Sequence, residues 1–306
     1  MNQGDGPSIP NLRKLRNLTP SRIAVWALMG FLVFLSLAPI LVVLKTALAN
    51  PRGFFTHARG LTPHNPTLFN FKRVLGMVSK EDSIAVGGSG AEFSYLTALK
   101  NSLLFTFVSL AGQVFFSTLA AYAFARMRFP GRNVLFGLLL AGLMIPGAVL
   151  FIPNYIFMKD RHWLNTYQGQ IAPFFLMTPF AVFFMRQFFL SFPKEMEESA
   201  RIDGATPWRI FRSIVLPLSK GPLATLSILS SINLWNEFLW PFLIAKDNSK
   251  YPLTVALQAF KSQQPQGGID WPGLMAGTVL AIVPVLVLVV VLGRRVVESL
   301  QFSGSK

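Results

Sequence analysis

The sequence predicts an all-α integral membrane protein with six transmembrane helices, and three observations carry this prediction. Of its 306 residues, 52% are hydrophobic and only 13% are charged, and the mean hydropathy is +0.48. This composition is more apolar than that of a soluble domain of similar length. Six stretches reach the roughly 20 apolar residues that a bilayer-spanning helix needs. The apolar run 283–292 lacks the period-two alternation typical of a transmembrane β-strand.

The six predicted spans set the organisation of the chain. They cover residues 23–44, 101–125, 133–158, 166–185, 221–245 and 273–293. The first span is predicted to be a retained helix, because a signal peptide has an apolar run of about 7–15 residues followed by a cleavage site. We therefore expect a tail over 1–22, an outer loop over 45–94, a five-span core over 95–293 and a second tail over 294–306.

Basic residues predict the orientation of the chain, since they favour the cytoplasmic side of a membrane. With a cytoplasmic N-terminus, the inner segments hold clusters around Arg16, Arg128, Arg209 and Arg295. The short outer loops hold Lys159, Arg161, Lys246, Lys250 and Lys261. Both termini are therefore predicted to be cytoplasmic. The net charge of +15 follows from basic span ends that face anionic lipid, and it requires no nucleic acid.

Sequence motifs for catalysis or cofactor binding are absent. The chain has no Cys, its three His stand apart from one another, and no Walker A sequence occurs. The segment Gly87-Gly88-Ser89-Gly90 lacks the Lys-Ser/Thr that follows in a phosphate loop, so we interpret it as a flexible loop tip. We expect no catalytic residue, metal or cofactor on this chain. Any ATP-Mg that drives it is expected to bind another subunit.

The segment 191–219, which we call the elbow, is a polar stretch between the fourth and fifth spans. The positions of its Gly and Pro residues predict two short helices joined by a sharp turn. Ser191 before a proline favours a helix start, and Gly204 allows the left-handed conformation that ends a helix. Thr206 is then predicted to cap a second helix, which ends at Leu216-Pro217.

The elbow is predicted to bind a protein partner. Glu195, Glu197 and Glu198 place negative charge in the first turn of the first helix, where it favours the helix dipole. A helix that lies on lipid headgroups usually carries basic residues instead, and anionic lipid repels an acidic helix. The alternative interpretation, an ordinary amphipathic loop on the headgroups, fits these residues less well.

The elbow also carries a motif that resembles a known family. Glu198-Ser199-Ala200, Gly204 and Ile214-Val215-Leu216-Pro217 resemble the EAA loop of the permease subunits of binding-protein-dependent ABC importers, with Ser199 where Ala is usual. Further blocks resemble the MalG-like branch, which imports carbohydrates: Asn101-Ser102, 121–131, 144–147, 152–153, 164–167 and 234–241. The resemblance covers residues 95–306, including a MetI-like permease core, and it departs most at Glu298 and Ser299, where Arg-Gly is common.

This resemblance implies a set of partners and coupling residues. The ATPase-coupling residues would be Glu198, Ser199, Ala200, Asp203, Gly204, Ile214, Leu216 and Pro217. Glu198 would pair with a basic residue of an ATPase and Gly204 would allow the turn. Ile214, Leu216 and Pro217 would pack the elbow against the spans. The implied partners are a second permease, two ATPase subunits, an extracytoplasmic solute-binding protein, membrane lipid and a carbohydrate, in the cell membrane of a prokaryote.

Glu237 is the only acidic residue within any predicted span. On a continuous helix it would lie about 13 Å below the outer end of its span, so an ionised side chain there needs a cavity or a partner. Asn233, Asn236, Glu237 and Trp240 would share one helix face. We hypothesise that this stripe lines a path for a sugar. Alternatively, its amides bind another helix, for example across a subunit interface.

Two other functions compete with ATP-driven import. A proton-coupled secondary transporter would use Glu237 as its proton carrier, but such a carrier has no evident use for the elbow. A membrane-embedded enzyme such as a glycosyltransferase would need clustered acidic or His residues at a span end, and Glu81-Asp82 is the only outer pair. The outer loop is predicted either to contact a soluble binding protein or to be an insertion without a role in transport.

Overall fold

The computed structural model describes residues 20–54, 60, 62–63, 65–91, 94–262 and 268–301. Every regular element within these residues is a helix. The predicted N-terminal tail, apart from its last three residues, lies outside the described residues. The predicted C-terminal tail is described only through residue 301, without the side chains of residues 292–301.

The α-helices range from single turns to segments long enough to cross a bilayer. In chain order they are α1 Pro20–Ala47, α2 Phe69–Val74, α3 Lys80–Ala85, α4 Tyr95–Arg126, α5 Arg132–Ala141, α6 Phe151–Asp160, α7 Tyr167–Phe175, α8 Pro179–Leu190, α9 Glu195–Ile202, α10 Pro207–Ile210, α11 Leu216–Leu218, α12 Lys220–Trp235, α13 Leu239–Ile244, α14 Leu253–Ala256, α15 Ala259–Ser262 and α16 Trp271–Gln301. Three short 3-10 segments, Pro51–Gly53, Gly142–Met144 and Gly147–Leu150, and a π-helical turn, Phe211–Val215, complete the described elements.

Four described segments are long and apolar enough to cross a membrane: Pro20–Ala47, Tyr95–Arg126, Tyr167–Leu190 and Trp271–Val291. Two bent pairs of helices raise the number to six if each pair is one span. The long helix α4 is central, since it packs against α7, α8 and α12. Helix α1 lies along α16 and is almost wholly exposed in the single chain.

The third span is not the continuous helix predicted over 133–158. Its two halves, Arg132–Met144 and Gly147–Asp160, are bent by 96° at Ile145-Pro146. Proline has no N–H to continue the helix and forces the residue before it into an extended conformation. Ile145 accordingly adopts φ −84° and ψ 116°.

The fourth span also departs from the prediction of a single helix over 166–185. Helix α7 ends at Phe175, and α8 begins at Pro179 after Thr178, whose Oγ1 accepts a hydrogen bond from Ala181 N at 3.3 Å. Gln113 of α4 donates to the same hydroxyl at 3.1 Å, so the break is tied to the central helix. Helix α8 then runs to Leu190, five residues beyond the predicted end.

The described part of the outer loop is folded, and the interpretation of its glycines as a flexible tip is wrong. Arg73 of α2 forms a buried ion pair with Asp270, just before α16, at 2.7 Å; we call this pair the Arg73 clasp. Ser89 is 2% exposed and donates its backbone N–H to Asp270 Oδ2 at 2.7 Å. A Cβ on Gly88 would lie 1.9 Å from Arg73 Nη1, so this close approach requires glycine.

Candidate coupling site

The first half of the elbow has the predicted turn but a different start. Ser191 ends α8 rather than starting a helix, because its hydroxyl donates back to the Phe188 carbonyl at 2.7 Å. Helix α9 begins at Glu195, without a side-chain cap. It ends at a left-handed Gly204, φ +78°, and Thr206 Oγ1 accepts a hydrogen bond from Arg209 N to start α10.

The second half of the elbow is longer than predicted. Leu216-Pro217 does not end the helix, since α10 passes through the π-helical turn into α11 and breaks only at Ser219. A proline within a helix removes one N–H donor and clashes with the turn before it. The π-helical turn Phe211–Val215 widens the backbone directly before this proline.

Apolar side chains fix the elbow to the helical bundle. Ile210, Phe211 and Val215 of the elbow are at most 3% exposed, and they share one core with Tyr122 of α4 and Phe189 of α8. The Tyr122 and Phe211 rings lie 5.1 Å apart. Ile214, Leu216 and Ala200 pack against this core and are half-buried, whereas Pro217 is exposed. The elbow is therefore a packed element rather than a free loop.

The outer face of the elbow presents charge beside apolar surface. Glu198, Ser199, Asp203 and Gly204 are all exposed. Ile202 lies among them and is 86% exposed. This face therefore presents two carboxylates and one largely exposed apolar side chain to a partner outside the chain.

Glu197, the neighbour of Glu198, has the opposite environment. It is buried against Arg126, the last residue of α4, and the Nε to Oε1 distance is 3.3 Å. Sequence reasoning missed this pair because it assigned all three glutamates to the helix dipole. The available signal was the helical period, which places Glu197 on the same face as Ala200 and away from Glu198.

The predicted stripe on the fifth span is not one helix face. Helix α12 ends at Trp235, so Asn236 caps its C-terminus, and Trp240 belongs to the separate helix α13. Glu237 Oε1 accepts a hydrogen bond from Trp240 N at 3.1 Å, which caps α13. The predicted depth of Glu237, about 13 Å, assumed that nine helical residues separate it from the outer end of the span. Because α12 ends at Trp235, that depth no longer follows.

The four residues of the stripe have different exposures. Asn233 and Asn236 are exposed, and Glu237 is half-buried. Trp240 is 1% exposed, donates its Nε1 to the Gly169 carbonyl at 3.0 Å and stacks on Phe151. A cavity of about 520 Å³ opens beside Asn236, lined also by Trp235, Phe238, Thr254, Gln258 and Lys261. Within the described part of the chain, no His, Cys, Asp and Glu residues cluster in a way that could hold a metal ion.

Apolar helical segments packed around α4, together with a packed polar elbow, are the architecture of a multi-pass membrane protein. Residues 113–301 match the model of the binding-protein-dependent transport system inner membrane component, and the chain belongs to this family. It is therefore a permease component of such a system, as the sequence predicted.

Two relatives are similar over most of their length. The arabinooligosaccharides transport system permease protein AraQ of Halalkalibacterium halodurans is 38% identical over 212 residues, 69% of this chain and 75% of that protein. The sn-glycerol-3-phosphate transport system permease protein UgpE of Salmonella typhi is 34% identical over 267 residues, 86% of this chain and 90% of that protein.

A solved structure shares the fold. It is the crystal structure of a bacterial ABC transporter involved in the import of the acidic polysaccharide alginate. The match has a TM-score of 0.74 and 22% sequence identity, and it covers 94% of this chain and 99% of that chain.

Proposed function

We propose that this permease imports sugars or sugar derivatives together with a partner permease, and that two separate ATPase subunits drive it through the elbow. An extracytoplasmic solute-binding protein delivers the substrate. The elbow and both termini then lie in the cytoplasm, consistent with the exposed basic residues Arg201, Arg209 and Arg212 on the elbow and Lys220 directly after it. ATP with Mg²⁺ binds the ATPase subunits and not this chain.

The geometry of the elbow is the observation that carries this proposal. A lever that transmits force needs two helices at a fixed angle, a firm attachment and a face for its partner. Gly204 sets the angle, and the core around Phe211 provides the attachment. The exposed carboxylates of Glu198 and Asp203, beside Ile202, provide a face that fits a groove with basic residues at its rim.

Polyhydroxy substrates are proposed from the names of the similar proteins. Arabinooligosaccharides, sn-glycerol-3-phosphate and alginate all carry several hydroxyl groups. The exposed amides of Asn233 and Asn236, with the half-buried Glu237, are the proposed path residues of this chain, since amides and carboxylates bond hydroxyls. Trp240 is not one of these path residues, because its indole is buried and its N–H already donates to the Gly169 carbonyl.

A charge reversal at Glu198 tests the docking role. We expect Glu198→Lys to abolish co-purification of an ATPase with this chain, because like charges would face each other across the interface. Membrane insertion should be unchanged, since Glu198 is exposed. Glu81→Lys, the same change at an exposed site in the outer loop, is the control and should retain the ATPase. A Glu198→Lys chain that still assembles with a normally coupled ATPase would contradict the proposal.

A further inference from the structure

Arg126, the last residue of α4, donates hydrogen bonds to two backbone carbonyls outside its own helix. Arg126 donates from Nε and Nη2 to the Phe189 carbonyl, at 3.0 and 2.5 Å, and from Nη2 to the Phe192 carbonyl at 2.6 Å. Phe189 lies in the last turn of α8, where a helix leaves carbonyl groups without intrahelical partners, and Phe192 lies two residues beyond its end. Arg126 therefore joins the ends of two spans.

The same guanidinium also reaches the elbow. Arg126 Nε lies 3.3 Å from Glu197 Oε1, and the two side chains are 6% and 8% exposed. Arg201, one turn further along α9, places its Nη2 3.7 Å from the other oxygen of Glu197. We call Arg126 with Glu197 the Arg126 clasp. It is the point where α4, the end of α8 and α9 meet.

Because the Arg126 clasp is buried, losing either of its two partners has a large energetic cost. Removing one partner of a buried ion pair leaves an uncompensated charge and is strongly destabilising, in contrast to a solvated pair that can be lost at little cost. The donors of the Arg126 guanidinium are rigidly spaced, and they bond the Phe189 and Phe192 carbonyls. Glu197 of α9 is held to the same guanidinium by charge, without a hydrogen bond. Moving α9 away from this guanidinium would separate two buried charges.

The hydrogen bonding of the Arg126 clasp and its surroundings is incomplete. Glu197 Oε1 and the Tyr122 hydroxyl are both buried without a hydrogen-bond partner. The Tyr122 hydroxyl belongs to the residue one turn before Arg126 on α4. A purely structural cluster normally satisfies its buried polar groups, and an incomplete one calls for a functional explanation.

We propose, on the basis of the function proposed above, that the Arg126 clasp is the joint through which the elbow moves α4 and α8 during transport. Arg126 and Glu197 are positioning residues: neither contacts substrate or nucleotide in this role. The exposed Glu198 faces the ATPase, and the buried Glu197 faces the bundle. Glu198 therefore binds the ATPase, and Glu197 connects α9 to α4 and α8.

The absence of Cys allows a direct measurement of this joint. Spin labels are placed at Phe107→Cys on α4 and Glu195→Cys on α9, both exposed positions. The complex, purified with its ATPase and reconstituted in lipid vesicles, is measured at rest and trapped with ATP and vanadate. In the otherwise unaltered protein the distance between the labels should be the same in both states, because the two helices move as one body.

Breaking the Arg126 clasp should remove that invariance. In Glu197→Gln or Arg126→Gln, we expect the distance to shift on trapping, while the ATPase remains bound and hydrolyses ATP. Arg128→Gln is the matched control, since Arg128 is exposed two residues further on, and its distance should stay unchanged. If the glutamine variants fail to accumulate, Arg126→Lys keeps the charge but loses the fork, and the same shift is expected.

The outcomes separate the two proposals. An ATPase-bound complex whose label distance stays invariant in the Arg126 and Glu197 variants overturns the role of the Arg126 clasp and leaves the proposed function intact. A shift of equal size in Arg128→Gln overturns it as well. A native complex that contains no ATPase overturns both the Arg126 clasp and the proposed function.

Discussion

Gly204 is the residue at which the elbow turns. Its φ is +78°, and a Cβ built on it would meet no atom within 4 Å. The need for glycine is therefore conformational and not steric. A non-glycine residue in this region costs of order 1–3 kcal/mol, and a β-branched residue tolerates it least.

The effect of a substitution at Gly204 on transport should increase with the cost of placing the new residue at positive φ. We expect Gly204→Val to insert and assemble but to transport slowly, Gly204→Ala to be milder, and Gly204→Asn to be the mildest, since Asn visits the left-handed region most readily. Initial uptake rates in vesicles measure the series. Gly137→Val is the control, because Gly137 also has open space but lies within helix α5. Equal transport in all three Gly204 variants would show that the turn angle is unimportant.

The neighbouring glutamates show what residue-level prediction can and cannot do. Sequence reasoning correctly predicted an acidic helix that ends at Gly204, because capping and helix-dipole effects act within a turn or two. It did not separate Glu197 from Glu198, and it could not name the partner that buries Glu197. Their difference comes from Arg126, which is distant in sequence and is brought to α9 by the packing of α4 against α8.

At the scale of elements, the Arg73 clasp holds the outer loop to the start of α16. Burial by itself raises the pKa of the Asp270 carboxyl, but the hydrogen bonds and charge of Arg73, with the N–H groups of Ser89 and Gly273, hold that pKa below its usual value of 3.8. An acid whose pKa is lower in the folded state stabilises the fold when ionised.

The sign of this linkage gives a pH dependence. The stabilisation from Asp270 should be complete above pH 3.8 and be lost as the pH falls through the lower folded pKa. Asp270→Asn leaves Arg73 unpaired and should lower stability by about 3–5 kcal/mol at neutral pH. Thermal unfolding in detergent from pH 7 to 3 measures both proteins, and their difference should shrink only at the acidic end.

The control for this titration is Asp160→Asn, an exposed aspartate at the end of α6. Its effect should stay within about 0.5 kcal/mol, as is usual for surface substitutions. A constant difference between native protein and Asp270→Asn down to pH 3 would show that the Arg73 clasp does not depend on the ionised carboxylate.

For the molecule as a whole, the source of energy distinguishes an importer of this family from a proton-coupled carrier. Glu237 already caps α13 through Trp240 N, which is a structural use of the carboxylate. We expect uptake in energised cells to be abolished by vanadate and unaffected by a protonophore at constant ATP. Collapse of uptake by the protonophore, with no effect of vanadate, would contradict ATP-driven import.

The sequence alone determined the membrane class, the place of the apolar segments, the family and the presence of the elbow. Each of these depends on composition or on contacts within a few residues, which a linear pattern contains. Only the tertiary structure decided that the fourth span breaks at Thr178, that the described part of the outer loop is folded and which glutamate is buried. Those features depend on contacts between residues far apart in the chain, such as Arg73 with Asp270 and Gln113 with Thr178. Burial changes the energetics of a charge much more than its immediate sequence neighbours do.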